Sequence, residues 1–237
     1  MNKQLTILST YAQDKLVNNK DVIRTQLGGP ALYLKNVFDT EGISFDAPEF
    51  PEMEVEILIK PDGEYGKVTN EVKPQASQFN LMTTPYLVIS SILDEFDLSN
   101  IDSYKGKVFL DAQGYVRDGQ NFGGKKMWVP STNIAESIFC LKGTEEELMY
   151  LPTEFVESQK QKILIETRGA MGCRLFVFGK EYELLPKQVI QTQNTIGAGD
   201  TFFAYFIANS IKGIEPADSA FQAMASTSNF LHHTQSF

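Results

Sequence analysis

Within a few residues the chain places two glycines, an alanine and one carboxylate ahead of an apolar run. They are Gly197, Ala198, Gly199 and Asp200, followed by Phe202, Phe203, Tyr205, Phe206 and Ile207. The pattern predicts a small-residue turn feeding a helix that is apolar nearly all the way round, and therefore buried. The start of a helix has backbone N–H groups without internal acceptors and the positive end of the helix dipole. Both suit a phosphate or a developing oxyanion. Gly197 and Gly199 let that backbone approach a ligand with no Cβ in the way. Asp200, in the first turn, is favoured there as a carboxylate and is placed to act as a general base. An anion cradle beside a base points to phosphoryl transfer onto a hydroxyl. The same residue types also suit a plain loop whose Asp caps a core helix.

Such a turn needs a rigid frame. Short apolar runs stand at 87–90, 107–110, 162–165 and 175–178, and helical patterns intervene at 91–97, 144–150 and 152–161. Runs of this kind are found in strands buried on both faces, and the alternation predicts an α/β fold with a doubly wound, mainly parallel sheet. Further strands are expected at 5–9, 22–26, 43–45 and 55–59. A hairpin is expected between 174–178 and 181–185, turning at Gly179 and Lys180. Gly213 and Pro216 mark the stop of the central helix and the start of a last one running to about Leu231.

Composition limits the alternatives. At 237 residues the chain is long enough for one large domain or a domain with a small appendage. A formal net charge of −9 argues against a nucleic-acid partner, although binding one nucleotide needs only a local cradle. Cys140 and Cys173 are too few for a disulfide framework and have no metal-site spacing. No apolar run reaches transmembrane length, and the N-terminus lacks a basic region followed by an apolar one. A cytoplasmic enzyme without a membrane partner is the expectation.

The string Asn194-Thr195-Ile196-Gly197-Ala198-Gly199-Asp200 resembles the C-terminal signature of the ribokinase-like (PfkB-type) carbohydrate kinases, written Asp-Thr-x-Gly-Ala-Gly-Asp, with Asn194 replacing the first Asp. Other segments follow in the family's order. Asp14 matches the acidic residue that grips substrate hydroxyls. Gly28 and Gly29 match the Gly-Gly pair opening a helix beside the sugar. Tyr33 stands where ribose kinases often carry Asn, and the Gly-Gly-Pro form resembles the inositol- and polyol-type members. The stretch Asp111 to Arg117 resembles the Asp-x-Gln-Gly-x-x-Arg segment of several archaeal and bacterial ribokinase-like proteins, and the fork of donors on Arg117 suits a phosphate or a substrate hydroxyl. Lys142, Thr144 and Glu147 resemble the family's Lys-x-Asn/Ser-x-x-Glu, whose Glu orients the waters around Mg²⁺, with Thr144 in place of Asn. Thr167, Arg168, Gly169 and Gly172 resemble the turn that lies against the nucleotide phosphates.

The resemblance implies a single ribokinase-like domain over 1–237, with a small or reduced β lid around 39–80. It implies ATP and Mg²⁺ as cofactors and a small sugar, polyol or inositol as acceptor. A homodimer paired through the lid is a further implication. Nucleoside acceptors and a ligand-sensing, inactive relative remain as alternatives. The first would use aromatics such as Phe45, Phe50, Tyr65 and Phe79; the second would account for Asn194, Thr144 and a chain ending soon after Asp200, where many members run on to close the adenine pocket.

Plainer readings stand beside these. Thr144 and Glu147 also form a capping box at a helix start. Asp14 also suits a solvated turn, Arg117 an exposed side chain, and Gly169 to Gly172 a simple hairpin loop. Gly119 to Lys126 imitates a P-loop, but Lys126 stands where Ser or Thr belongs and no helix follows. Asn133 to Glu136 copies Asn-x-x-Glu too early in the chain. His232 and His233 read as a frayed end.

Overall fold

The computed structural model describes residues 3–18, 21–60, 63–70, 75–76, 78–190, 192 and 195–234. Asn194, Pro61 and Pro74 lie outside the described residues. The main sheet has eight strands. In spatial order they are Lys180–Leu184, Cys173–Val177, Ile163–Thr167, Ile138–Thr144, Lys107–Asp111, Tyr86–Ser90, Leu5–Ser9 and Phe45–Asp46. Every pairing from Ile163–Thr167 to Phe45–Asp46 is parallel; the last two strands at the other end add as an antiparallel meander.

The apolar runs exist because both faces are covered. Along the central strands Ile7, Val88, Phe109, Cys140 and Ile165 enter one core cluster. Leu8, Leu87, Ile89, Leu110 and Leu141 enter the other, as the period of two requires. The helices Pro30–Thr40, Ala198–Ile211 and Pro216–Thr234 contribute to the first cluster; Thr153–Lys160 and the short turns near Ile101 contribute to the second.

A second sheet of four strands stands apart, in the order Asp21–Gly28, Ala12–Asn18, Met53–Lys60, Gly63–Val68. It alternates as a half-buried sheet does. Met53, Val55 and Ile57 point into a small cluster with Ala12 and Ile92, while Glu54 pairs with Lys15 at 2.7 Å and Glu56 with Lys67 at 3.4 Å on the outer face. This lid is not confined to 39–80: half of it comes from a hairpin formed earlier in the chain, with Ala12–Asn18 lying parallel to Met53–Lys60. Asp14 therefore lies within a lid strand rather than in a turn after Leu5–Ser9.

Residues 91–97 are not helical. The segment bends, with Asp94 at φ 39°, and ends in the two-residue strand Phe96–Asp97. The buried Glu95 carboxylate accepts from the N–H groups of Ile92 (2.9 Å) and Leu93 (2.8 Å), replacing the helical pattern with a side-chain clamp. The C-terminal hairpin turns at Phe178 and Gly179, both at positive φ, one residue earlier than expected. The last helix extends to Thr234 and carries His232 and His233 exposed.

The helix Ala198–Ile211 is the centre of the first core. Phe203 is fully buried, its ring 6.5 Å from that of Phe109 on the sheet. Phe203→Ala is expected to cost about 3–5 kcal/mol. For a domain of this size that lowers the melting temperature by about 10 °C in a calorimetric scan.

Candidate active site

At the carboxyl ends of the central strands a cavity of about 480 Å³ opens between the main sheet, the lid and the last helix. Open α/β sheets bind ligands at this edge. The start of helix Ala198–Ile211 stands at the middle of the cavity wall. Gly197 adopts the left-handed region (φ 79°), and a Cβ there would lie 2.2 Å from the ring of Tyr33, so only glycine allows this turn under that ring. Ala198 N–H donates to Thr195 O at 3.0 Å, and Thr201 N–H to Gly197 O at 2.9 Å. The N–H groups of Gly199 and Asp200, between them, have no acceptor inside the helix. Free N–H groups at the helix start are thus fewer than the whole Gly197–Asp200 string offers.

Asp200 is enclosed by protein apart from a partial opening to the cavity. Desolvation raises its pKa from the ordinary value of 3.8 to about 6. The Lys142 ammonium and the Arg117 guanidinium oppose that rise, as does a hydrogen bond from Ser90 Oγ to Oδ1 at 3.3 Å, while the Asp111 carboxylate adds to it. A carboxylate poised near neutrality suits a general base.

On the lid side, Asp14 is almost fully buried and lines the cavity with Gly29 and Tyr33. Gly28 lies behind it: a Cβ there would fall 1.9 Å from Asp14 Oδ2, so its role is to admit that carboxylate rather than to touch a ligand. Pro30 occupies the first position of its helix. Arg117 also reaches the cavity. Its Nη1 donates to Ile92 O at 3.2 Å, and its Nη2 to the suitably oriented amide oxygen of Gln113 at 2.7 Å.

On the opposite side, Thr144, Thr167, Gly169 and Gly172 line the cavity. Arg168 does not: its guanidinium donates to Glu183 Oε1 at 2.6 Å, away from the cavity, while its backbone N–H closes the turn onto Gly172 O. Glu147 forms the capping box, its Oε2 accepting from Thr144 N–H at 2.8 Å while Thr144 Oγ1 accepts from Glu147 N–H at 3.1 Å. It lies buried behind the cavity lining. Lys142 lies in the floor of the cavity, its Nζ 2.6 Å from Asp111 Oδ2. Among the described residues no three His, Cys, Asp or Glu side chains converge as a metal centre. No helix among them is long and apolar enough to cross a membrane.

Of the two motif imitations, Gly119 to Lys126 falls largely on the hairpin Arg117–Asp118/Asn121–Lys125, and Glu136 ends a helix at the opposite edge of the sheet. Ser90, absent from the motifs, and Asp111, read only as the start of a motif segment, stand beside Asp200 and Lys142; the signal for both is a polar residue closing an otherwise apolar strand.

This architecture is the ribokinase-type α/β fold. The sulfate complex of a pyrophosphate-dependent kinase in the ribokinase family superposes with a TM-score of 0.71 at 17% identity, covering 94% of both chains. Arabidopsis thaliana ribokinase, complexed with ribose and ATP, superposes with a TM-score of 0.65 at 16% identity, covering 96% of this chain and 92% of that one. In sequence, residues 126–234 match the pfkB family carbohydrate kinase. Inositol 3-kinase of Oryza sativa subsp. japonica is 31% identical over 121 residues, 48% of this chain but only 30% of that protein. Inositol 3-kinase of Arabidopsis thaliana is 24% identical over 256 residues, 92% of this chain and 71% of that protein.

The raised pKa of Asp200 has a stability consequence. The native state keeps this proton to higher pH than the unfolded chain, so stability falls as pH rises from about 4 to 6 and the loss persists above. Asp200→Asn is expected to stabilise the protein by about 1–3 kcal/mol at pH 8. The gain should vanish near pH 4, as denaturant titrations at the two pH values will show.

Proposed function

We propose that the protein transfers the γ-phosphoryl group of ATP to a hydroxyl of a small sugar, polyol or inositol. The observation carrying this reading is the junction of a two-ended cavity. Asp200 and the unpaired N–H groups of Gly199 and Asp200 stand between an acceptor side with Asp14 and a donor side with Gly169 and Gly172. Asp200 takes the proton from the acceptor hydroxyl as it attacks. The helix start stabilises charge growing on the phosphoryl oxygens, an arrangement set before the reaction begins. Asp14 and Arg117 orient the acceptor.

The donor side supports a nucleotide. Val189, Ile190, Met224 and Leu231 give it apolar walls suited to a flat base. Among the described lining residues only Arg117 and Lys142 are cationic, few for a donor recognised by phosphate charge alone. When bound, ATP supplies the reacting phosphoryl group, and Mg²⁺ would neutralise its phosphates. Among the described residues none make a direct metal site, and Glu147 already uses one oxygen in its cap. A hydrated ion carried on the nucleotide, with Glu147 behind its water shell, fits the acidic helix start 145–147.

The acceptor side supports a hydroxylated ring rather than a nucleoside. Phe45 packs on Phe38, Phe50 packs on Phe96, and Phe79 is buried in the second core. Tyr65 is not among the cavity-lining residues.

A coupled ADP-release assay across sugars, polyols, inositols and nucleosides tests the reading. The expected result is turnover dependent on one hydroxylated acceptor, with kcat/KM rising through pH 6 to a plateau as Asp200 ionises. Asp200→Asn should lower kcat at least about 10³-fold while calorimetry shows ATP bound as before. An active Asp200→Asn variant would disprove the base assignment.

Gly28→Ala drives a methyl into the Asp14 carboxylate. It is expected to raise KM for the acceptor about tenfold or more while leaving the KM for ATP unchanged, measured by varying each substrate in turn.

A further inference from the structure

Among the described residues Asp111 and Lys142 carry the most deeply buried opposite charges, at 0% and 2% exposure. A pair so far from water is often less stabilising than apolar side chains of the same volume, so packing alone does not explain it. The two residues are direct partners across neighbouring parallel strands, near the carboxyl ends of both, beneath the cavity. Asp111 is itself fixed, because its second oxygen accepts from Gln113 N–H at 3.1 Å. The clamp aims the ammonium upward. A Cβ placed on Gly199 would stand 3.2 Å from Lys142 Nζ, so the charge rests against the backbone that opens helix Ala198–Ile211.

We propose that Asp111 and Lys142 form a positioning pair for Asp200. The clamped ammonium holds the helix start in register with the sheet and sets the electrostatic field in which the Asp200 carboxylate ionises. This carries the proposed phosphoryl-transfer reading one layer deeper and bears on catalysis only through it. The groups facing Asp200 come from separate elements: Ser90 from one strand, Asp111 and Lys142 from the next two, and Arg117 from the segment that follows Asp111. Lys142 is kept protonated by the carboxylates around it, Asp111 foremost, against the effect of burial. Removing the cation and removing its clamp should therefore act on Asp200 in opposite directions. A purely structural pair has no such signature.

The test is a ¹³C NMR titration of the full-length protein labelled at aspartate carboxyl carbons, with Asp200→Asn assigning the resonance. Lys142→Met is expected to raise the Asp200 midpoint by about one pH unit or more, and Asp111→Asn to lower it, a tenfold change in proton affinity per unit. In a turning-over enzyme the acid limb of kcat/KM should move with the NMR midpoint. Gly199→Ala keeps both charges and stays at a helical backbone geometry. Its methyl crowds the ammonium and should raise the midpoint in a chain whose core is untouched, which keeps the question open to experiment if either charge variant fails to fold. Unchanged midpoints, or shifts of the same sign in Lys142→Met and Asp111→Asn, would overturn the pair's role. The titration needs no turnover, so a wild-type protein silent toward every acceptor would sink the kinase reading and leave this result standing.

Discussion

The site depends on the enclosure of one helix. Ala198–Ile211 is covered by the sheet on one side and by the helices Pro30–Thr40 and Pro216–Thr234 on others, with Phe202, Phe203, Phe206 and Ile207 all buried. A helix held in this way cannot rotate or slide without opening the core. Its first turn is therefore delivered to a fixed place above the strand ends. The same enclosure removes water from Asp200, so the packing that stabilises the fold also raises the proton affinity of its carboxylate. Fold stability and site chemistry are in direct opposition here, as they commonly are where a buried charge serves a reaction.

The sheet contributes by stopping its strands at one level. Ser90, Asp111 and Lys142 are the closing or near-closing residues of Tyr86–Ser90, Lys107–Asp111 and Ile138–Thr144; Ser90 bonds to Asp200, Lys142 lies beside Gly199, and Asp111 holds Lys142. Apolar residues fill the strands up to that level because both faces are covered; polar ones begin where the cavity begins. The lid adds its carboxylate by a different route. Asp14 rides on a strand that pairs with both a neighbouring hairpin arm and a segment some forty residues later, and Gly28 leaves room for it. Tyr33 ties the two sides together, with its ring over Gly197 and its centroid 5.9 Å from that of Phe230 in an edge-to-face pair.

The match to the pfkB family carbohydrate kinase covers residues 126–234, which hold the cap at Thr144, the Gly169–Gly172 turn and the helix start, whereas the strands of the second sheet precede it. Structural likeness extends over nearly the whole chain at 17% identity.

The sequence by itself determined what local patterning can encode: the buried helix after a small-residue turn, the apolar strands of a parallel sheet, the capping box at Thr144 and Glu147, and Pro30 opening its helix. Each is a matter of period, capping or φ preference within a few residues. Only the tertiary structure decided what depends on distant partners. The lid took in 12–28 because Ala12–Asn18 could pair with Met53–Lys60. The expected helix at 91–97 gave way because Glu95 is buried and captures the backbone N–H groups of Ile92 and Leu93. Arg168 left the cavity because Glu183 stands across the hairpin. Asp111 and Lys142 became a pair because two strands fell into parallel register, and no pattern along the chain records which strand will lie beside which.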